Sequence, residues 1–157
     1  MNILVEGPDK VGKSTYAKAL GMDNYRRFPD GIYRDLLLNE KVTGTASTFL
    51  FFAETMDFWS KQKENIVLDR DILSMIVYQG ILLKNMPVMV IVNLYKSIVY
   101  KEHMPDEIHY LVNHPFIEYD EDDIFEAFGY EKQRWAYEQA LKLVRHNFKI
   151  EIREIRL

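Results

Sequence analysis

A three-layer α/β/α fold around a five-stranded parallel sheet is the architecture this sequence predicts. Three observations carry it. Short β-forming runs alternate with helical stretches along the chain, beginning with Asn2 to Glu6. That first run meets a glycine-bearing loop, Gly7 to Gly12, which opens into a helix. A later run, "NIVLD" (Asn65 to Asp69), is apolar until it ends on an acid. Strands alternating with helices in this way build a parallel sheet covered on both faces.

The elements follow in order. Lys13 to Leu20 reads as the first helix, stopped by Gly21. Asn24 to Phe28 is the second strand, closed by Pro29, Asp30 and Gly31. Tyr33 to Leu38 and Thr45 to Gln62 read as helices, and Asn65 to Asp69 is the third strand. Ile72 to Leu83 is helical, and an apolar helix runs from Val88 to Tyr100 after Pro87. "DEIHYLVNH" (Asp106 to His114) is the fourth strand. A long helix is expected over Asp123 to Asn147, with Ala127, Tyr130, Arg134, Tyr137 and Leu141 at helical spacing. "KIEIREI" alternates and reads as the last strand.

Bulk properties narrow the function classes. A chain of 157 residues suits one domain with a real core. The net charge of -4 supports neither nonspecific nucleic-acid binding nor attachment to a membrane surface. With no cysteine there is no disulfide framework and no thiolate chemistry, which fits a reducing, cytoplasmic setting. The opening residues are too short a run, and too soon acidic, for a signal peptide. The most apolar stretch, "MPVMVIVNLYKSIVY", is broken by Asn93 and Lys96 and falls short of a membrane span.

The opening loop carries the chemistry. Gly7-x4-Gly12-Lys13-Ser14 is a P-loop, set between a strand and a helix as that motif requires. Its glycines let backbone N–H groups turn inward and cradle phosphate oxygens. The helix N-terminus adds partial positive charge. Lys13 is placed to reach the β- and γ-phosphates, and Ser14 to hold Mg²⁺. The candidate ATP site is therefore Gly7, Lys10, Val11, Gly12, Lys13, Ser14 and Thr15. Asp69, at the end of a buried strand, is the expected second metal partner. Arg70 follows it, and an arginine there grips phosphate bidentately.

Together these segments resemble the thymidylate kinase family, in several separated motifs over most of the chain. "EGPDKVGKST" is similar to that family's P-loop, including Asp9. "RRFPD" resembles its arginine-bearing segment after the second strand, and "LFFAETM" its phenylalanine-bearing helix. "VLDRDILSMIVYQG" resembles its Asp-Arg signature, with Asp69, Arg70, Ser74, Tyr78 and Gln79 in place. "MPDEIHYLVNHP" and "YEKQRWAYEQAL" sit where the family has its fourth strand and the helix after its lid.

The resemblance implies a P-loop fold and transfer of the γ-phosphoryl of ATP, with Mg²⁺, to a deoxynucleoside monophosphate, dTMP first. It implies catalytic roles for Lys10, Lys13, Asp69 and Arg70. Arg27 would grip the acceptor phosphate, Asp9 would contact the sugar 3′-hydroxyl, and Phe52 would stack on the base. Ser74, Tyr78 and Gln79 are either acceptor contacts or helix-packing residues, and Tyr137 reads as core. A homodimer, pairing the helix around Phe49 to Trp59 with the apolar helix Val88 to Tyr100, is also implied.

Three departures stand out. The lid, at about residues 114–124 of a single 1–157 domain, lies in "PFIEYDEDDIFEAFG", which holds no Lys or Arg. The catalytic cation would then be Lys10, in the P-loop position where the family can place an arginine. Aligning on Phe52 puts Met56 where the family has a base-reading arginine, and Met75 stands where a small glycine is frequent. Base choice is therefore open. The chain is also short for the family, which suggests a viral or phage source. Two other readings stay in view: a deoxynucleoside kinase on the same fold, and a nucleotide-binding module that no longer transfers phosphate. Arg26 and Arg27, suited to an acceptor phosphate, disfavour the first.

Overall fold

The computed structural model describes residues 1–22, 24–39, 41–61, 64–99, 105–112, 118–123 and 125–157. Five parallel strands form the sheet, in the order β2-β3-β1-β4-β5. They are β1 (Asn2–Glu6), β2 (Asn24–Arg27), β3 (Ile66–Asp69), β4 (Glu107–Val112) and β5 (Glu151–Arg156). Between them run α1 (Lys13–Ala19), α2 (Gly31–Leu38), α3 (Thr45–Lys61), α4 (Ile72–Ser74), α5 (Val88–Leu94) and α6 (Tyr130–Asn147). The three-layer α/β/α expectation holds.

The period-2 geometry of the central strands explains the two cores. Leu4, Leu68 and Ile108 point to one face, against Ile72, Ile76 and Tyr137 of α4 and α6. Ile3, Val5, Val67 and Leu111 point to the other, against Ala17 of α1. β1 lies between β3 and β4, with Val5 opposite Asp69 and His109. The P-loop at its end therefore opens beside the ends of β3 and β4, where open α/β sheets hold ligands. At the outer edge, β5 sets four charged residues around Ile152 and Ile155, a composition that discourages pairing with a further strand.

Several elements differ from expectation. The long helix starts at Tyr130, not Asp123. Gly129 adopts φ +83, a left-handed conformation, and separates α6 from a short 3₁₀ turn, Glu126–Phe128. Ala127 thus lies outside α6, whereas Tyr130, Arg134, Tyr137 and Leu141 lie on it. α2 begins two residues earlier than expected, at Gly31. α4 continues as a π-helix, Met75–Leu82, and α5 as another, Tyr95–Val99. Tyr100, and residues 113–114 of the expected fourth strand, lie outside the described residues.

α5 is apolar on more than one side. Ile91, Val92, Tyr95 and Val99 are buried in and after it, while Met89, Val90 and Ile98 are exposed. Phe49 and Met56 of α3 are exposed as well. Among the described residues, no helix is long and apolar enough to cross a membrane.

Close helix packing fixes one glycine. A Cβ on Gly80 would meet Val88 Cγ2 at 2.9 Å and Ile91 Cδ1 at 3.2 Å. Gly80→Ala is expected to cost about 1–3 kcal/mol through overpacking of the π-helix Met75–Leu82 on α5. Urea unfolding checks this, and an unchanged midpoint would show that the contact yields freely.

Candidate active site

A cavity of about 430 Å³ runs from the P-loop to the space between α3 and α4. The loop is built by strained backbone. Lys10 and Gly12 take positive φ values, 60 and 90, which turn successive amides inward. A Cβ on Gly7 would stand 2.7 Å from the Leu111 carbonyl oxygen, so only glycine lets the loop lie against β4. Val11 is fully buried, and its side chain belongs to the core. Lys10, Gly12, Lys13, Ser14 and Thr15 line the cavity, whereas Gly7 and Val11 do not.

Lys13 begins α1 and is buried, with its ammonium donating to the Pro8 carbonyl at 2.5 Å. Burial, reinforced by the Arg70 charge, lowers its pKa to about 7, against the pull of Asp9, Asp69 and Glu6. Ser14 Oγ donates to Asp69 Oδ2 at 2.6 Å, and the Tyr25 hydroxyl donates to the same oxygen at 2.9 Å. Ser14 and Asp69 are thus adjacent hard oxygen ligands, the donor chemistry Mg²⁺ takes when waters and phosphates complete its shell. No cluster of three or more His, Cys, Asp or Glu able to hold a metal occurs among the described residues.

Arg70 ties the site together. Its backbone N–H donates to the Val5 carbonyl at 3.0 Å, and its φ is 80. Its guanidinium pairs with Asp9 and donates to Ser74 Oγ at 3.2 Å and Tyr137 OH at 3.1 Å. It also lies over the Tyr78 ring, 5.3 Å from the centroid. Beneath it, fully buried Glu6 accepts from the Asp71 and Ser74 amides and from Ser74 Oγ. Burial raises the Glu6 pKa, a rise that these hydrogen bonds and the Arg70 charge oppose.

Gln133 of α6, not singled out from sequence, clamps the loop. It accepts from the Asp9 amide at 2.8 Å and donates to the Asp9 carboxylate at 3.1 Å. Tyr119 donates to the Asp9 carbonyl at 2.6 Å.

The two arginines of β2 divide as strand geometry requires. Arg26 pairs with Glu54 at 3.2 Å and packs over Phe28 and Phe58. Arg27 points the other way, is exposed, and lines the cavity. Arg34 of α2 lines it too, and neither Arg27 nor Arg34 has an ion-pair partner among the described residues. Arg34 escaped the sequence reading because α2 carries no motif.

Two expectations on α3 are corrected by one residue. Phe52 is 3% exposed and packs on Tyr95, with ring centroids 6.4 Å apart, so it belongs to the core and not to the cavity. Met56 is exposed to solvent, away from the cavity. Phe51 and Thr55 line the cavity instead. A step of one residue turns a helix by about 100°, so a one-residue slip moves the whole pair off the face. Ser74, Met75, Tyr78 and Gln79 do line the cavity. The hydroxyls of Ser74 and Tyr78 are engaged, Tyr78 by Gln133 at 3.0 Å and Ser74 by Glu6 at 2.6 Å. Tyr137 is buried as expected, yet its hydroxyl holds Arg70.

Lys10 reaches away from the P-loop. Its ammonium pairs with Glu126 at 2.7 Å and donates to the Glu118 carbonyl at 3.4 Å. Asp123 and Glu126 line the cavity on this side. Residues 114–117 and 124 of the expected lid lie outside the described residues.

No family model matches the chain, and no curated protein matches it. Among solved structures, it is similar to the crystal structure of a thymidylate kinase from Ehrlichia chaffeensis. The TM-score is 0.73 at 21% identity, over 99% of this chain and 90% of that one. The shared feature is the fold. It is a three-layer α/β/α P-loop fold.

The buried Lys13 has a thermodynamic consequence. Its folded pKa lies below that of an exposed lysine, so its charged form is disfavoured in the empty site. At pH 8 the amine is mostly neutral, and a bound polyphosphate would restore its proton. ATP binding at pH 8 is expected to take up about one proton, and less as the pH falls toward 6, where Lys13 already carries it. Titration calorimetry in two buffers of different ionisation enthalpy measures this; equal heats at pH 8 would refute it.

Proposed function

We propose that the chain is a nucleoside monophosphate kinase, moving the γ-phosphoryl group of ATP to the phosphate of a deoxynucleoside monophosphate. One observation carries the reading: a single cavity has groups suited to holding phosphate at two stations. Lys13, Ser14 and the loop amides stand at one, and Arg27 and Arg34, unpaired among the described residues, at the other, with Arg70 also on the wall. A second cationic station is what an acceptor that is itself a phosphate needs. A nucleoside acceptor has no such group. The fold of the Ehrlichia chaffeensis thymidylate kinase supports the same class, and makes dTMP the acceptor to test first.

The transfer is balanced without a proton relay. An oxygen of the acceptor phosphate forms a bond to the γ-phosphorus, and the bond to the β-bridging oxygen breaks. That oxygen leaves with the electron pair as ADP. Lys13 and the P-loop amides hold the donor phosphates, while Arg27 and Arg34 hold the acceptor phosphate. Arg70 stands where it can neutralise charge between them. Ser14 and Asp69 would hold Mg²⁺, which supplies charge neutralisation on the donor phosphates when bound. Asp9, oriented by Arg70 and Gln133, is a contact for the acceptor sugar.

Lys10 is the remaining cation of the loop. We assign it the charge that an arginine would otherwise bring to the transferring group, once it exchanges Glu126 for phosphate. Lys10→Ala should then lower kcat roughly 10²- to 10³-fold, with little change in ATP affinity. An unchanged kcat would leave Lys10 as a tether for the acidic segment.

The class itself is tested by ADP release from ATP and Mg²⁺ with deoxynucleoside monophosphates and deoxynucleosides as acceptors. Turnover with monophosphates alone is expected, and its loss in Lys13→Ala. Turnover with nucleosides alone would move the enzyme to that class. ATP binding without turnover on any acceptor would make it a binding module.

A further inference from the structure

Where α3 faces α4, the cavity wall has a defined hydrogen-bonding polarity. Phe51 and Met75 supply apolar surface there, of the kind that packs on a flat ring. Thr55, Asp71 and Gln79 supply the polar groups. Thr55 Oγ1 donates its one proton to Asp71 Oδ1 at 2.9 Å. Toward a ligand it has only lone pairs left. The other oxygen of Asp71 takes the Tyr95 hydroxyl, so both donors point at the carboxylate and it remains an acceptor.

Gln79 has the opposite polarity. Its Oε1 receives Thr48 Oγ1 at 3.0 Å and Asn85 Nδ2 at 2.8 Å. Its Nε2 makes no hydrogen bond among the described residues and is the donor left over. The wall therefore offers two adjoining acceptors and one donor.

Nucleobases divide on this pattern. An exocyclic amino group brings two N–H donors, and cytosine, adenine and guanine all set it beside a complementary acceptor edge. Thymine brings one N–H between two carbonyl oxygens. Set against adjoining acceptors, it leaves a carbonyl facing an acceptor oxygen, and an unmet polar pair in a buried site discriminates strongly. This argument rests on the kinase reading of the cavity and departs from it on the base. We propose that Thr55, Asp71 and Gln79 read the acceptor base, and that the acceptor carries an amino-bearing base in preference to thymine.

The test is the rate of ADP release with ATP and Mg²⁺ at pH 8, comparing dCMP, dAMP, dGMP and dTMP. At least one amino-base monophosphate is expected to exceed dTMP in kcat/KM by about 10-fold or more. Which one does so reports the ring that fits. Thr55→Val, which removes an acceptor and keeps the shape, should narrow that ratio while turnover persists. dTMP used as well as all three others would overturn the base assignment and leave the kinase intact. No turnover with any monophosphate would overturn the kinase reading. Equilibrium binding of the same four monophosphates without ATP then decides the base: tighter amino-base binding supports the assignment, and equal or weaker binding overturns it. The wild-type comparison stands even if Thr55→Val fails to fold.

Discussion

One charge organises this molecule: the largely enclosed guanidinium of Arg70. Its backbone leaves β3 in a left-handed conformation and bonds to β1, so the side chain is delivered over the P-loop. From there it reaches Asp9 of the loop, Ser74 of α4 and Tyr137 of α6. Three elements distant in sequence are thereby held in one register around a single cation. Removing one member of such a pair leaves the other charge uncompensated, at a cost of about 3–5 kcal/mol. Asp9 would lose its cation, and buried Glu6 would lose a charge that opposes the upward shift of its pKa. The site and the packing of α4 and α6 on the sheet thus depend on the same group.

The parts legible in the sequence are those where local chemistry decides. The P-loop reads directly, because its glycines and Lys13-Ser14 are contiguous and the conformation they need is local. Asp69 and Arg70 read from the end of an apolar run. All five strands are present, with bounds shifted by a few residues. The break at Gly129 was available as a glycine inside a helical pattern, but the periodicity on either side overrode it. The π-helical winding of Met75–Leu82 carries no sequence mark that we can name.

What was not legible depends on rotation and on distance. Phe51 and Phe52 are chemically identical neighbours, and only the packing of α3 against Tyr95 says which one turns to the core. The pair Phe51 and Thr55 follows from that rotation, not from composition. Asp71 was not singled out after Arg70, yet it is buried and accepts from Thr55 and Tyr95, which lie 16 and 24 residues away. Gln133 reaches Asp9 across 124 residues, and no pattern within α6 announces it. Arg26 and Arg27 are separated only by strand alternation, which the sequence does supply once β2 is placed.

The electrostatics of the cavity follow from this arrangement. In a chain with net charge of -4, any attraction for phosphates would have to be local. Among the described residues Arg27 and Arg34 have no ion-pair partner, while Arg26, Arg70 and Lys10 are paired with Glu54, Asp9 and Glu126. These paired cations differ in what a ligand must displace. Arg26 is wedged between aromatic rings and a buried acid, so it holds the segment from Phe28 to Asp30 and not the substrate. The Lys10 pair is half-exposed, so water and salt screen it. A polyphosphate entering the loop brings several negative charges to within reach of that ammonium, far more than one screened carboxylate offers. Of the three paired cations Lys10 is the most exposed, and so it is the one that an entering ligand would displace most readily.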